Sequence, residues 1–140
     1  MSLPGRDPFE PSRVRIVPAN EASCADLDAI FGSRDYPARC RCQRFKIPGW
    51  IWGSSTTLDQ RIAMQREQTR CGDPDAPATS GLVAFVDGEP AGWVAVEPRT
   101  QYPNILVNKS PVVWRGRGED KTDDGIWSVT CFAVRKGYRG

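Results

Sequence analysis

The sequence predicts an α/β domain of the α+β kind, a mostly antiparallel sheet with two helices ahead of it. Three observations carry that expectation. Two helix-patterned segments, 24–31 and 58–70, precede the strands. Two apolar runs, Leu82–Val86 and Gly92–Val96, flank Asp87-Gly88-Glu89-Pro90. Asp-Gly between such runs is a strong hairpin signal, because glycine accepts positive φ. A β-rich run, Ile126–Val134, then leads into Arg135-Lys136-Gly137-Tyr138-Arg139-Gly140.

Taken in order, residues 1–12 contain three prolines and read as a flexible N-terminal arm. Residues 13–17 alternate polar and apolar, so they predict a short strand with one buried face, ended by Pro18. Asn20 is the expected cap of a helix over Cys24–Phe31, with Leu27, Ile30 and Phe31 on its inner side and Gly32 as its stop. Residues 33–55 read as irregular and aromatic. Thr57-Leu58-Asp59-Gln60 fits a capping box for a helix over Leu58–Arg70. Its apolar stripe is narrow (Leu58, Ile62 and Met64 or Gln65), and Arg61, Arg66, Glu67 and Arg70 are expected in solvent. The hairpin occupies 82–97, a Pro- and Gly-rich excursion follows over 98–125, and the last strand is 126–134.

Composition narrows the function classes. A 140-residue chain is one domain or part of one and can bury a real core. Its 19 basic and 17 acidic residues leave a net charge of +2, too near balance to argue for nucleic acid or an anionic membrane. No apolar stretch reaches the roughly 20 residues of a membrane helix, and the first ten residues show no signal-peptide pattern. A cytoplasmic setting is the default. The five cysteines, an odd count, predict reduced thiols. Cys40-Arg41-Cys42 is a poor zinc site, since the chain has no histidine and no second close cysteine pair.

Val83-Ala84-Phe85-Val86-Asp87-Gly88-Glu89-Pro90-Ala91-Gly92-Trp93-Val94 resembles the central hairpin of the GNAT superfamily of N-acetyltransferases. Val134-Arg135-Lys136-Gly137-Tyr138-Arg139-Gly140 resembles that family's V-x-x-x-Y-R-G-x-G-x-G/A motif up to its first glycine. The resemblance implies a GNAT-like fold over 13–140, present as the N-terminal portion and ending inside the acetyl-CoA pyrophosphate loop, with the C-terminal half of the fold absent. It implies acetyl-CoA as co-substrate and direct attack on the thioester by a primary amine.

Carried over residue by residue, the resemblance assigns the coenzyme to backbone groups around Phe132, Ala133 and Val134, with Arg135, Arg139 and Gly140 at the pyrophosphate. A glycine there lets the backbone approach an anion. Lys136 reads as a solvated base nearby. Glu97 is the candidate general base. The acceptor pocket falls to Tyr36, Phe45, Trp50 and Trp52, and Arg39, Arg41, Arg44 and Lys46 could draw an acidic acceptor to it. Cys131 has no histidine to activate it and reads as a packed thiol. With the following helix absent, one sheet face should lie open, with Phe85, Trp93, Trp127 and Val129 as its members. An open apolar face invites a homodimer or another covering partner. The alternative reading is therefore a non-catalytic domain of GNAT ancestry that binds a protein. No metal, nucleic-acid or membrane partner is expected.

Overall fold

The structure is a computed structural model that describes residues 11–49, 56–106 and 114–139. It is an α+β arrangement around one four-stranded antiparallel sheet in the order β1-β2-β3-β4. The strands are β1 (Val14–Pro18), β2 (Gly81–Val86), β3 (Glu89–Pro98) and β4 (Trp127–Val134). The helices are α1 (Cys24–Phe31), α2 (Tyr36–Cys40), α3 (Leu58–Thr69) and α4 (Pro103–Leu106). Of the expected N-terminal arm, 1–10 lie outside the described residues, and Pro11–Arg13 form a 3-10 turn into β1. No helix among the described residues is long and apolar enough to cross a membrane.

α1 and α3 follow local rules with two corrections, and α2 forms within 33–55, which the sequence reads as irregular. α1 is capped by Ser23, not Asn20: the Ser23 hydroxyl accepts from the Asp26 amide while the Asp26 carboxylate accepts from the Ser23 amide. Asn20 instead donates its side-chain amide to the carbonyls of Asp73 and Pro74, fastening the loop after α3. α3 carries the expected box between Thr57 and Gln60. Arg61, however, is buried rather than solvated. Its guanidinium donates to the Arg39 carbonyl at 2.7 Å and the Thr56 carbonyl at 2.8 Å. Arg39 lies in the last turn of α2, where carbonyls lose their helical partners, so Arg61 supplies a missing donor. α3 thus enters the core through polar groups, Arg61, Gln65 and Thr69.

β2 and β3 form the expected hairpin. Asp87 and Gly88 both take positive φ, 50° and 82°, the requirement of a two-residue I′ turn. Two irregularities interrupt the ladder. One lies in β3, where Ala84 faces Gly92 and Phe85 faces Pro90, leaving Ala91 extra. The other lies in β4, where Ala95 faces Cys131 and Val96 faces Val129, leaving Thr130 extra. A bulge of this kind shifts the phase of a strand by one residue. Here it keeps Trp127, Val129, Phe132 and Val134 on one face.

That face is not the one the helices cover. Leu27, Ile30 and Phe31 of α1 pack with Val83, Phe85, Trp93, Ala95 and Ala133. Phe31 and Trp93 meet with ring centroids 6.1 Å apart. The expected open set therefore divides. Phe85 and Trp93 are buried under α1, whereas Trp127 and Val129 are exposed. The open face gains Ile16, Leu82, Phe132 and Val134.

The cysteines also depart from expectation. Cys24 and Cys71 form a disulfide that ties the start of α1 to the loop after α3, Cα to Cα 5.1 Å. Cys40, Cys42 and Cys131 remain free thiols. Disulfides are rare in a reducing cytosol, so the thiols no longer argue for a cytoplasmic setting.

Candidate functional site

β4 is the last strand of the sheet, and no described strand pairs with its outer side. Backbone groups in an antiparallel pair alternate between facing the partner and facing away. The Arg135 amide donates to the Ala91 carbonyl at 2.8 Å, which fixes the phase. Val134 opposite Gly92 and Phe132 opposite Val94 then turn their N–H and C=O groups to the free edge. Ala133 opposite Trp93 turns its own toward β3. The expected backbone set thus narrows to Phe132 and Val134. Arg139 supports that orientation, since its Nε–H reaches the Val134 carbonyl at 2.7 Å. Side-chain face and backbone direction share a period of two, so the residues with exposed apolar side chains also carry the unpaired amides.

β4 runs out into a tight turn in which the Tyr138 amide donates to the Arg135 carbonyl. Gly137 sits there at φ +98°, a conformation a side chain would strain. Beside it, Arg34 after α1, Arg135, Lys136 and Arg139 line a cleft of about 340 Å³. Asp35 is the carboxylate in that lining and pairs with Arg139 at 3.0 Å. Arg135 is drawn to the Pro90 carbonyl and to Glu89 at 3.7 Å. Arg34 and Lys136 have no ion-pair partner among the described residues. Cations outnumber carboxylates here, so the cleft can accept an anion. Gly140 lies outside the described residues.

Glu97 stands near the other end of the β3–β4 pair, opposite Ser128. It forms a largely buried ion pair with Lys46. The Lys46 ammonium also lies 4.6 Å from the centre of the Tyr102 ring. Tyr102 is 1% exposed, and its hydroxyl faces Thr130 of the bulge without a well-formed hydrogen bond. Burial pushes its pKa up to about 12, against the pull of Thr130. Glu97 and Lys46 open onto a cleft of about 470 Å³ bordered by Glu67, Gln68 and Arg70 of the α3 segment.

The expected acceptor pocket is not assembled as one wall. Phe45 lines a separate cleft of about 370 Å³ with Ile105, Trp114, Trp127 and Val129. Tyr36 is half exposed at the start of α2 and lines none of these clefts. Burial, then Cys40, raises its pKa. Trp50 and Trp52 lie outside the described residues. The basic cluster read as a lure for an acidic acceptor is largely engaged: Arg41 pairs with Asp28 at 2.7 Å, Lys46 with Glu97, and Arg44 lies over the Phe45 ring. No group of three or more metal-ligating side chains occurs among the described residues.

Sequence reasoning missed Arg34 and Tyr102. Arg34 gains its place only because α1 ends beside the turn after β4. Tyr102 carries no local pattern that separates it from the other aromatics. Comparison with family models, curated proteins and solved structures gives no match.

Proposed function

We propose that this chain carries the coenzyme-binding strand of an acetyl-CoA-dependent N-acetyltransferase. The observation that carries the reading is an edge strand, β4, with no described strand on its outer side, running into a glycine turn beside a cation-rich cleft. The outward amides of Phe132 and Val134 would pair with the pantetheine arm, and one of them would donate to the thioester oxygen. A fixed N–H donor stabilises the oxyanion that forms as the amine attacks. Arg34, Arg135, Lys136 and Arg139 would neutralise the coenzyme's phosphates. In the transfer, the amine nitrogen bonds to the thioester carbon, the C–S bond breaks, and the coenzyme thiolate takes up a proton. Glu97 is the candidate base for the amine proton, directly or through a water. It would have to share its carboxylate with Lys46.

Titration calorimetry with acetyl-CoA tests the reading. Micromolar binding that weakens with added salt is expected, because phosphate contacts are screened. Absence of binding at millimolar coenzyme would overturn it. In that event the open apolar face favours the second reading, a non-catalytic domain of the same ancestry that binds a protein through Ile16, Leu82, Phe132 and Val134. On the acetyltransferase reading the acceptor is a primary amine, a second copy or another partner covers the open face, and the setting is cytoplasmic.

A further inference from the structure

The covered face holds a cluster that acyl transfer does not use. Cys131 lies next to the β4 bulge, opposite Ala95, with its side chain toward the helices. Cys42 follows α2 with its backbone at φ 60°, an uncommon conformation for a residue with a side chain. The Trp93 indole N–H donates to the Cys42 sulfur at 3.1 Å. Cys42 borders a small cavity with Trp93 and Ala95, Ala95 stands opposite Cys131 across the ladder, and both thiols pack against the α1–sheet core. Each residue keeps partial exposure, whereas the third free thiol, Cys40, is buried.

We propose that Cys42 and Cys131 are a dithiol–disulfide pair, a modification site at which a small-molecule disulfide staples the loop after α2 to edge strand β4. The proximity of the two thiols lowers the Cys131 pKa and raises that of Cys42, so Cys131 is the attacking thiol. The Cys131 thiolate attacks one sulfur of the reagent, forms a mixed disulfide and releases one thiolate. Cys42 then gives up its proton and attacks the Cys131 sulfur, expelling the second thiolate, which is protonated. Two electrons pass from the protein to the reagent, which leaves as two thiols. The bond would fix the bulge, and with it the outward amides of β4, against the helical layer.

Oxidised glutathione is the probe, with thiol counting and peptide mapping as readouts. The three free thiols should fall to one, with the Cys24–Cys71 bond retained. Mapping should find a Cys42–Cys131 cross-link that dithiothreitol reverses. Cys131→Ser should abolish the cross-link and Cys40→Ser should leave it intact. Three persistent thiols, a cross-link through Cys40, or a reaction halted at the mixed disulfide would each overturn the proposal. Mapping on the unaltered chain decides the matter even if a serine variant does not fold. The outcome is independent of coenzyme binding.

Discussion

The two faces of one sheet differ in everything but sequence character. On one, Val83, Phe85, Trp93 and Ala95 lie under α1 and are almost wholly buried. On the other, Ile16 is 62% exposed and Phe132 75%. Yet β2 and β3 read as near-continuous apolar runs, the pattern of strands buried on both sides. A strand built for a single covered face alternates apolar with polar. The difference teaches that the open face has the composition of an interior and lacks a described layer above it. It also makes the two faces unequal in what they contribute: the covered one contributes most of the packing.

Breaking the covered side should therefore cost most. Trp93→Ala removes the indole from between Phe31 and Cys42, and a loss of about 3–5 kcal/mol is expected. Urea unfolding measures it, and a loss below about 1 kcal/mol would mean that the α1 layer is not packed as described. Next in size is the staple of the same layer. Replacing both Cys24 and Cys71 by serine frees a loop of sequence separation 47. A destabilisation of about 4 kcal/mol is expected from loop entropy. An unchanged unfolding midpoint would mean that the bond does not form in solution.

The hairpin was legible because Asp87-Gly88 can satisfy an I′ turn with two positive φ values. The span of α1 was legible as well, since Leu27, Ile30 and Phe31 lie at helical spacing before Gly32. What failed was assignment between equivalents. Asn20 and Ser23 are both good caps, and the reciprocal bond from Asp26 decided for Ser23. Period two separates a strand into two sets but does not say which set a helix covers, so the pattern alone does not part Phe85 and Trp93 from Trp127 and Val129. The Thr130 bulge, which sets the β4 phase, leaves no mark in composition. Arg61 is buried by carbonyls from residues 39 and 56, partners that no helical pattern can name. At the site, the turn cations were legible as charges, while the Lys46–Glu97 pair is a meeting of segments 51 residues apart.

Alkali probes the covered side without mutation. In the folded chain Tyr102 keeps its proton to about pH 12, whereas an unfolded tyrosine loses it near pH 10. Between these values the unfolded state binds fewer protons, so stability present below pH 10 is lost progressively as pH rises. Tyrosinate absorbance should show a component titrating near pH 12, and Tyr102→Phe should remove it and flatten the stability decline. A smaller effect is expected at Thr57, whose hydroxyl caps α3. Thr57→Ala should lower stability by about 1 kcal/mol, read by thermal unfolding.

The smallest stability change is expected where the comparison is sharpest. Phe132 is the most exposed large apolar residue of the open face and stands opposite Val94 across the β3–β4 ladder. A phenylalanine already in water has little burial to lose, so Phe132→Asp should shift the unfolding free energy by less than about 0.5 kcal/mol. Its effect on association should be the reverse. If copies of this chain meet through the open face, a carboxylate at its centre must be desolvated there without a partner. Sedimentation velocity would then show the variant remaining monomeric at concentrations where the parent chain self-associates. A loss of several kcal/mol in dilute, monomeric protein would place Phe132 under a covering layer and remove the contrast between the faces. Equal association of both chains would leave the contrast standing and assign self-association to another surface.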